Sequence, residues 1–158
     1  MSRVLVAYFS ASGVTAGLAA RLAKEIGADL FAIEPAEPYS EADLDWHNQN
    51  SRSSVEMKDT NSRPAISSKI ADMGLYDVVF VGFPIWWYRE PSIIDTFMES
   101  YDFSGKTVVP FATSGGSAMG SSESNMQNLA PDARVTGAKR LAANTDGQTL
   151  AAWAAEWL

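Results

Sequence analysis

The sequence predicts an α/β protein built on a doubly wound parallel sheet. Short apolar runs rich in Val and aromatic residues alternate along the chain with segments of helical periodicity. The runs are continuously apolar, as is typical of strands that are covered on both faces. The 158 residues, 46% of them hydrophobic, are enough to bury one full core, so we expect a single domain over residues 1–158.

Four of the predicted strands are clear and a fifth is weak. The clear strands are residues 3–9 (RVLVAYF), 29–33 (DLFAI), 77–83 (DVVFVGF) and 106–111 (KTVVPF). The weak strand falls at residues 133–135 or at residues 139–141. Because strands that alternate with helices are joined by right-handed crossovers, these strands should run parallel.

The helices are predicted from apolar residues that recur at helical spacing. Residues 15–26 have this spacing, and Gly27 supplies a stop signal. Further helices are expected at residues 91–101, 121–129 and 146–157, with a polar helix at residues 42–58.

The polar helix lies inside an unusually long connection, which we call the insert (residues 35–66). Connections of this length in compact domains are often functional, so the insert is a candidate lid over a ligand. It carries His47, the single histidine of the chain. We expect a surface or capping role for His47, with a proton relay as the alternative.

Composition excludes several classes of site and partner. The chain has no Cys, so disulfides, thiolate metal sites and cysteine nucleophiles are ruled out, and no metal site is predicted. Its net charge of -7 argues against nucleic acid and anionic membranes as partners. The first apolar run is too short for a signal peptide or a membrane span, so a cytoplasmic protein is expected.

The negative charge is concentrated in one part of the chain. Residues 25–59 hold nine acidic and two basic residues, which gives this segment a net charge of -7. A solvated acidic face is the simpler interpretation. The alternative is a docking surface for a basic partner protein.

Three unusual loops follow the first, third and fourth strands. In open α/β sheets, ligands bind beyond the carboxyl ends of the strands, so these loops should form the functional site. The first loop opens a helix and offers backbone amides and the hydroxyls of Ser10, Ser12 and Thr15, which could hold a phosphate without a cation. A simple helix cap is the other interpretation of this loop.

The second and third loops suggest a flat aromatic ligand. In the second loop Phe83 should fill the local core, and a planar ring could stack on Trp86, Trp87 or Tyr88, with Trp87 preferred. The lone basic group there, Arg89, is expected at the rim. The third loop, residues 112–120, combines three glycines with hydroxyls, so its backbone amides could approach the edge of a ligand closely.

These motifs resemble those of flavodoxin-like FMN proteins. The matching stretches are YFSASGVT (8–15), YDVVFVGFPIWW (76–87) and GKTVVPFATSGGS (105–117). The match covers nearly the whole chain, and the second and third stretches are the specific ones. The resemblance implies three layers around a five-stranded parallel sheet of order 2-1-3-4-5. It also implies FMN as cofactor. Val14 stands where the family usually has Asn.

The resemblance also implies a set of cofactor-binding residues. The residues implied for the phosphate are Ser10, Ser12, Gly13, Val14 and Thr15. Those implied for the flavin ring and ribityl chain are Pro84, Ile85, Trp86, Trp87 and Tyr88. Those implied for the pyrimidine edge are Thr113, Ser114, Gly115, Gly116 and Gly120. No side chain need act as an acid or base, because FMN performs the redox chemistry.

Three functions are therefore open. The first is an FMN-dependent electron carrier, which the acidic segment favours because it could dock a basic redox partner. The second is an NAD(P)H-dependent quinone or azo reductase, which the absence of an evident basic pocket disfavours. The third is a binding module of the same fold without FMN, which is supported only by Val14.

Overall fold

The computed structural model describes residues 3–113 and 118–158, and its parallel sheet has helices on both faces. Its strands are β1 (Val4–Tyr8), β2 (Asp29–Ala32), β3 (Val78–Pro84), β4 (Thr107–Thr113), β5 (Arg134–Val135) and β6 (Lys139–Arg140). Its α-helices are α1 (Val14–Ile26), α2 (Arg52–Lys58), α3 (Ser92–Ser100), α4 (Ser122–Leu129) and α5 (Gly147–Ala154). Short 3₁₀ turns occur at Met73–Leu75 and Ala155–Trp157.

The strand order is β2-β1-β3-β4-β5, as predicted, and every pairing in the sheet is parallel. The order reverses direction between β1 and β3, which is the switch point of the sheet. The first strand of the chain therefore lies beside the third, and the loops that follow them emerge at the same edge.

Side chains alternate between two cores, one on each face of the sheet. Along β1, Leu5 and Ala7 belong to the core that also contains Ile94 and Phe97 of α3. Val6 belongs to the other core, which contains residues of α1 and α5. Because successive side chains of a strand point to opposite faces, a strand buried on both faces is apolar throughout. Phe83 is fully buried, as expected.

The fifth position of the sheet is split between two short strands. β5 pairs with the beginning of β4, where Val135 lies opposite Val108. β6 pairs with the end of β4, where Arg140 lies opposite Ala112. Both candidate positions for the weak strand are thus extended, and Gly137 between them has a φ of 71°.

The polar helix predicted at residues 42–58 is wrong over most of its length, because only Arg52–Lys58 is helical. Upstream, short polar side chains bind nearby backbone amides. The Asp45 carboxylate accepts a hydrogen bond from the His47 amide at 3.1 Å, and the same pattern recurs at Asn48. Such local bonds compete with the hydrogen bonds of a helix.

Within the ranges 3–113 and 118–158, every helix is too short or too polar to cross a lipid bilayer.

Candidate functional site

The loops that follow β1, β3 and β4 meet at the carboxyl edge of the sheet. The side-chain oxygens of Thr15 and Thr113 lie 2.8 Å apart, which joins the start of α1 to the end of β4. The amide of Ile85 donates to the carbonyl of Thr113 at 3.3 Å, which joins the loop after β3 to the same residue. The structure therefore brings the three loops together, as their positions in the sequence predicted.

The first loop leaves the beginning of α1 open to a ligand. Gly13 precedes the helix with a φ of 91°, and no side chain caps it. The hydroxyl oxygen of Ser10 is used within the loop, where it accepts from the Gly13 amide at 3.0 Å. The space beside Gly13 is empty, since a Cβ there would meet nothing within 4 Å. The first amides of a helix have no partner within it and carry a positive potential, so the start of α1 could bind an anion.

The other residues predicted to bind the phosphate differ in how far they are buried. Ser12 and Val14 are exposed beside the helix start, whereas Thr15 is only 2% exposed. The Thr15 hydroxyl is already hydrogen-bonded to Thr113. Two hydroxyls carry two protons and their mutual bond uses one, so the pair retains one O–H that can donate to a ligand.

The second loop is a tight turn that we call the aromatic turn (residues 86–89). Trp86 and Arg89 close it with two backbone hydrogen bonds of 3.1 and 3.2 Å. Its central residues, Trp87 and Tyr88, have positive φ values of 49° and 63°. This left-handed conformation is favourable for Asn and Gly and costly for bulky aromatic residues. Strain of this kind is typical of sites where the side chains serve a ligand.

The aromatic residues of this loop have different environments. Trp87 and Tyr88 are 42% and 72% exposed, respectively. Trp86 is partly buried, and its ring packs edge-on against Phe9 at 5.6 Å and Tyr39 at 5.5 Å. Trp86 thus fixes the aromatic turn to the protein, whereas the Trp87 side chain is accessible to solvent.

A cleft of about 420 Å³ lies between the aromatic turn and the insert. Its lining residues are Leu44, Trp46, Ser53, Ile85, Trp86, Trp87 and Tyr88. This volume and the aromatic lining are typical of a site for a small planar ligand. Trp46 is 67% exposed, and its ring stacks on that of His47 with 3.7 Å between centroids.

The insert, predicted as a candidate lid, supplies Leu44, Trp46 and Ser53 to the lining of the cleft. Leu44 and Ser53 have no sequence signal that would mark them. Trp46 has one, since a large aromatic residue in a polar segment requires either a core or a ligand. His47 is exposed, in keeping with the surface role expected for it.

The insert is attached to the site through Tyr39. Its hydroxyl donates to Glu56 Oε1 at 2.5 Å, and the guanidinium of Arg52 lies 3.9 Å above its ring. Arg52 Nε also donates to Glu56 Oε2 at 3.0 Å. Burial raises the pKa of Tyr39 well above its ordinary value, and the hydrogen bond to the Glu56 carboxylate raises it further. Tyr39 is therefore a neutral donor that holds α2 against Trp86.

The third loop lies partly outside the described residues. Ser114, Gly115 and Gly116, three of the residues expected at the pyrimidine edge, are outside them. Gly120 has a φ of 59°, and a Cβ on it would lie 1.7 Å from the carbonyl oxygen of Tyr88. The amide of Ser121 donates to that same oxygen at 3.1 Å. The third loop therefore packs directly on the aromatic turn.

Arg89 is not at the rim, which corrects the expectation for this residue. Its side chain is 12% exposed, and Nη1 lies 3.3 Å from Asp95 Oδ2 of α3. Nη2 donates to the carbonyl of Met57, the penultimate residue of α2, at 3.3 Å. Arg89 thus ties the aromatic turn to two helices and leaves the cleft without its charge.

Comparisons with known proteins give a consistent result. The family profile for flavodoxin matches residues 3–157. The chain is 50% identical to a proposed flavoprotein of Bacteroides eggerthii, with a TM-score of 0.90 over 99% of this chain and 98% of that one. It is 46% identical to another from Bacteroides uniformis, with a TM-score of 0.91 over 96% of this chain and 97% of that one.

A more distant structure has the same fold. It is a flavoprotein of Lactobacillus acidophilus solved in complex with FMN, 22% identical, with a TM-score of 0.76 over 99% of both chains. No curated protein resembles the sequence closely enough to match it.

Proposed function

The chain belongs to the flavodoxin family, and we propose that it binds FMN non-covalently and transfers electrons through it. The observation that supports this function best is the arrangement at the carboxyl edge of the sheet. Thr15 at the start of α1 binds Thr113 at the end of β4, and Thr113 in turn accepts from Ile85, which lines the aromatic cleft. FMN has the matching parts, a phosphate at one end and a flat ring at the other.

The donor set at the first loop is compatible with the FMN phosphate. The α1 amides, the exposed Ser12 hydroxyl and the remaining proton of the Thr15–Thr113 pair are all neutral donors. A helix N-terminus supplies a favourable potential for a dianion, so a cation is not required. Val14 contributes its backbone amide only.

The cleft is compatible with the flavin ring. Trp87 has an exposed indole in its lining, and Trp46 of the insert lies in the same lining. An aromatic ring held near two indoles is stabilised by stacking and by removal of its apolar surface from water. The described third-loop residue Gly120 adds backbone close to the turn, since no side chain separates it from Tyr88.

FMN, when bound, supplies the chemistry of accepting and donating electrons. The protein residues bind it, orient its ring and limit its access to water. Trp86, Phe9 and Tyr39 keep the aromatic turn in place through their edge-on packing. No acid or base among the described residues is assigned a role in the reaction.

Within this function, we favour an electron carrier over a reductase. The insert that lines the cleft also carries exposed acidic residues, including Glu37, Glu41 and Asp45. An acidic rim would steer a basic redox partner toward the cleft. No described residue in the cleft lining is Lys or Arg, so the lining offers no cation for the phosphates of a nicotinamide nucleotide.

A direct reductase is the second candidate. The observation in its favour is that the aromatic cleft is open, with Trp46 exposed at its edge, so a planar acceptor such as a quinone could enter. The carrier and the reductase both need FMN, whereas a binding module of the same fold needs none.

The visible absorption spectrum of the purified protein with added FMN tests the proposal. We expect a protein-bound flavin band that survives gel filtration, and a colourless protein would refute both redox functions. Anaerobic rapid mixing with NADPH then separates these two. Bleaching of the flavin without any added reductase would refute the pure carrier.

A further inference from the structure

Behind the aromatic turn lies a buried carboxyl group that the proposed function does not use. Glu90 follows the turn directly, and its side chain is fully buried. Its Oε1 accepts from Asn125 Nδ2 of α4 at 3.1 Å. Its Oε2 has no hydrogen-bond partner among the described residues. An ionised carboxylate with an unsatisfied buried oxygen is strongly unfavourable, so this group needs an explanation.

The two arginines near Glu90 are shared among three carboxyl groups. Arg89 of the turn lies 3.9 Å from Glu90 Oε2, beyond hydrogen-bond distance, and closer to Asp95 Oδ2 at 3.3 Å. Arg63, which follows α2, also faces Asp95, at 3.9 Å. Arg89 is thus shared between Glu90 and Asp95. Arg63 is shared between Asp95 and Glu99 of α3. The α4 residue that contacts Glu90 is the neutral Asn125.

Asp95 also has a buried carboxylate oxygen, Oδ1, that lacks a hydrogen-bond partner among the described residues. Both carboxyl groups contact Nη1 of Arg89, Glu90 Oε2 at 3.9 Å and Asp95 Oδ2 at 3.3 Å, so the two groups are close neighbours. Two carboxylates cannot donate to each other, but a protonated carboxyl can donate to a carboxylate. One proton on Glu90 would satisfy both unpaired oxygens. Burial raises the pKa of Glu90 to about 9, with the hydrogen bond to Asp95 and its charge acting in the same direction.

Glu90 is also connected to the aromatic turn through hydrogen bonds made by the start of α4. Ser121 and Asn125 lie one helical turn apart at the start of α4, where Asn125 Nδ2 also donates to Ser121 Oγ at 3.0 Å. Ser121 binds the carbonyl of Tyr88, and Asn125 binds Glu90. The residues on both sides of Arg89 are therefore held by the same end of one helix.

We propose that Glu90 is a positioning residue of the cofactor site, protonated at neutral pH, whose hydrogen bonds to Asp95 and Asn125 hold the aromatic turn against α4. Loss of this proton places two negative charges side by side in a buried space. The turn then loosens, and the ring face of Trp87 is no longer held in place. This inference rests on the proposed function, because FMN is the ligand that the turn would hold.

The first test compares FMN binding by the full chain and by Glu90→Gln across the alkaline range. Gln keeps the shape of a neutral carboxyl and cannot ionise. FMN has its own ionisations, which affect both proteins equally, so the ratio of their dissociation constants isolates Glu90. We expect wild type to lose affinity relative to Glu90→Gln by at least about threefold between about pH 7 and about pH 10. A constant ratio would overturn the inference.

The matched control is Glu156→Gln, which removes an exposed carboxylate near the C-terminus. Its ratio to wild type should stay constant over the same range. A change in this ratio with pH as large as that of Glu90→Gln would overturn the assignment to Glu90.

A second test needs neither FMN nor a folded variant at position 90. In carbon NMR of the FMN-free wild-type protein, we expect one Glu carboxyl to remain neutral at pH 7 and to titrate near the value of about 9. The indole signal of Trp87, assigned with Trp87→Phe, should shift with the same midpoint. Titration of every Glu below about pH 6, or a stationary Trp87 signal, would overturn the inference. Failure to bind FMN would instead refute the proposed function. The NMR titration would still test the protonation of Glu90, because it uses the FMN-free protein.

Discussion

Thr15 and Thr113 share a hydrogen bond of 2.8 Å between buried side-chain oxygens, although 98 positions separate them in the chain. The bond joins the helix that opens the candidate phosphate site to the strand that leads into the third loop. It therefore connects two of the three loops that form the candidate site.

The stability losses from removing the two hydroxyls of this pair should not be additive. Thr15→Val or Thr113→Val leaves a buried hydroxyl without its partner, and each should lower the free energy of unfolding by about 1–3 kcal/mol. The double variant should lose less than the sum of the two, because no orphaned hydroxyl remains. Urea unfolding of the four proteins measures the coupling. Strict additivity would mean that the bond has no energetic role.

Gly120 should not tolerate a side chain. Gly120→Ala places a Cβ 1.7 Å from the Tyr88 carbonyl oxygen at a φ of 59°, so the third loop or the aromatic turn must move. We expect a loss of about 2–4 kcal/mol in unfolding free energy, together with weaker FMN binding. Gly105→Ala is the matched control, because Gly105 has a φ of 76° and open space around it. Equal losses in the two variants would show that backbone strain alone matters.

Trp87 should contribute a stacking face for the flavin. Trp87→Ala should weaken FMN binding by about 3- to 10-fold and alter the shape of the bound flavin spectrum, whereas Trp87→Phe should retain most of the affinity. Val55→Ala, in the insert, controls for the loss of an exposed apolar side chain outside the aromatic turn. An unchanged spectrum in Trp87→Ala would move the stacking role to another residue, with Trp46→Ala as the next variant to measure.

Val14 is the position of the first loop where a substitution is expected to tighten FMN binding. Val14→Asn adds a side-chain donor beside the helix start, where Val14 is 45% exposed and free to be replaced without disturbing the core. A hydrogen bond to a charged phosphate is worth about 1.5–3 kcal/mol, so FMN binding should tighten by about 10-fold or more. Val14→Ala keeps the backbone amide and should bind within about twofold of wild type. Fluorescence titration of FMN distinguishes these outcomes.

Stability should fall as the pH rises toward the alkaline range. The pKa of Glu90 is raised from 4.5 to about 9, so the folded protein binds one more proton than the unfolded chain between these values. The stabilisation is fully present below the ordinary pKa of Glu and is lost progressively as the pH rises to about 9. The urea midpoint of the wild-type protein should therefore decrease from pH 6 to about pH 9, and that of Glu90→Gln should decrease less. Equal decreases would assign the effect to other groups.

The sequence predicted the sheet well because each central strand is buried on both faces. Such strands are continuously apolar, so their position is evident without tertiary information, as in Val78–Pro84. The meeting of the three loops at one edge of the sheet followed from the order of strands and helices alone. The weak fifth strand could not be resolved because each half pairs over only two residues.

Features that depend on contacts between distant residues were not predictable in this way. Arg89 looked like a rim residue because an isolated cation in a loop is usually solvated, and its burial depends on Asp95 and on the carbonyl of Met57. The cleft likewise depends on where the insert folds, and the contact that joins the insert to the aromatic turn is the edge-on packing of Tyr39 against Trp86. Neither contact has a signature in the spacing of residues.

The split fifth position of the sheet bears on how the protein behaves at high concentration. A long, flat edge strand offers unpaired amides and carbonyls to another chain, and extension of the sheet in this way leads to aggregation. Here the edge beside β4 consists of two-residue strands interrupted at Gly137, and its exposed positions include Arg134 and Lys139. An incoming strand would find no continuous partner and would meet positive charge. This irregular edge should therefore protect the protein against edge-to-edge association.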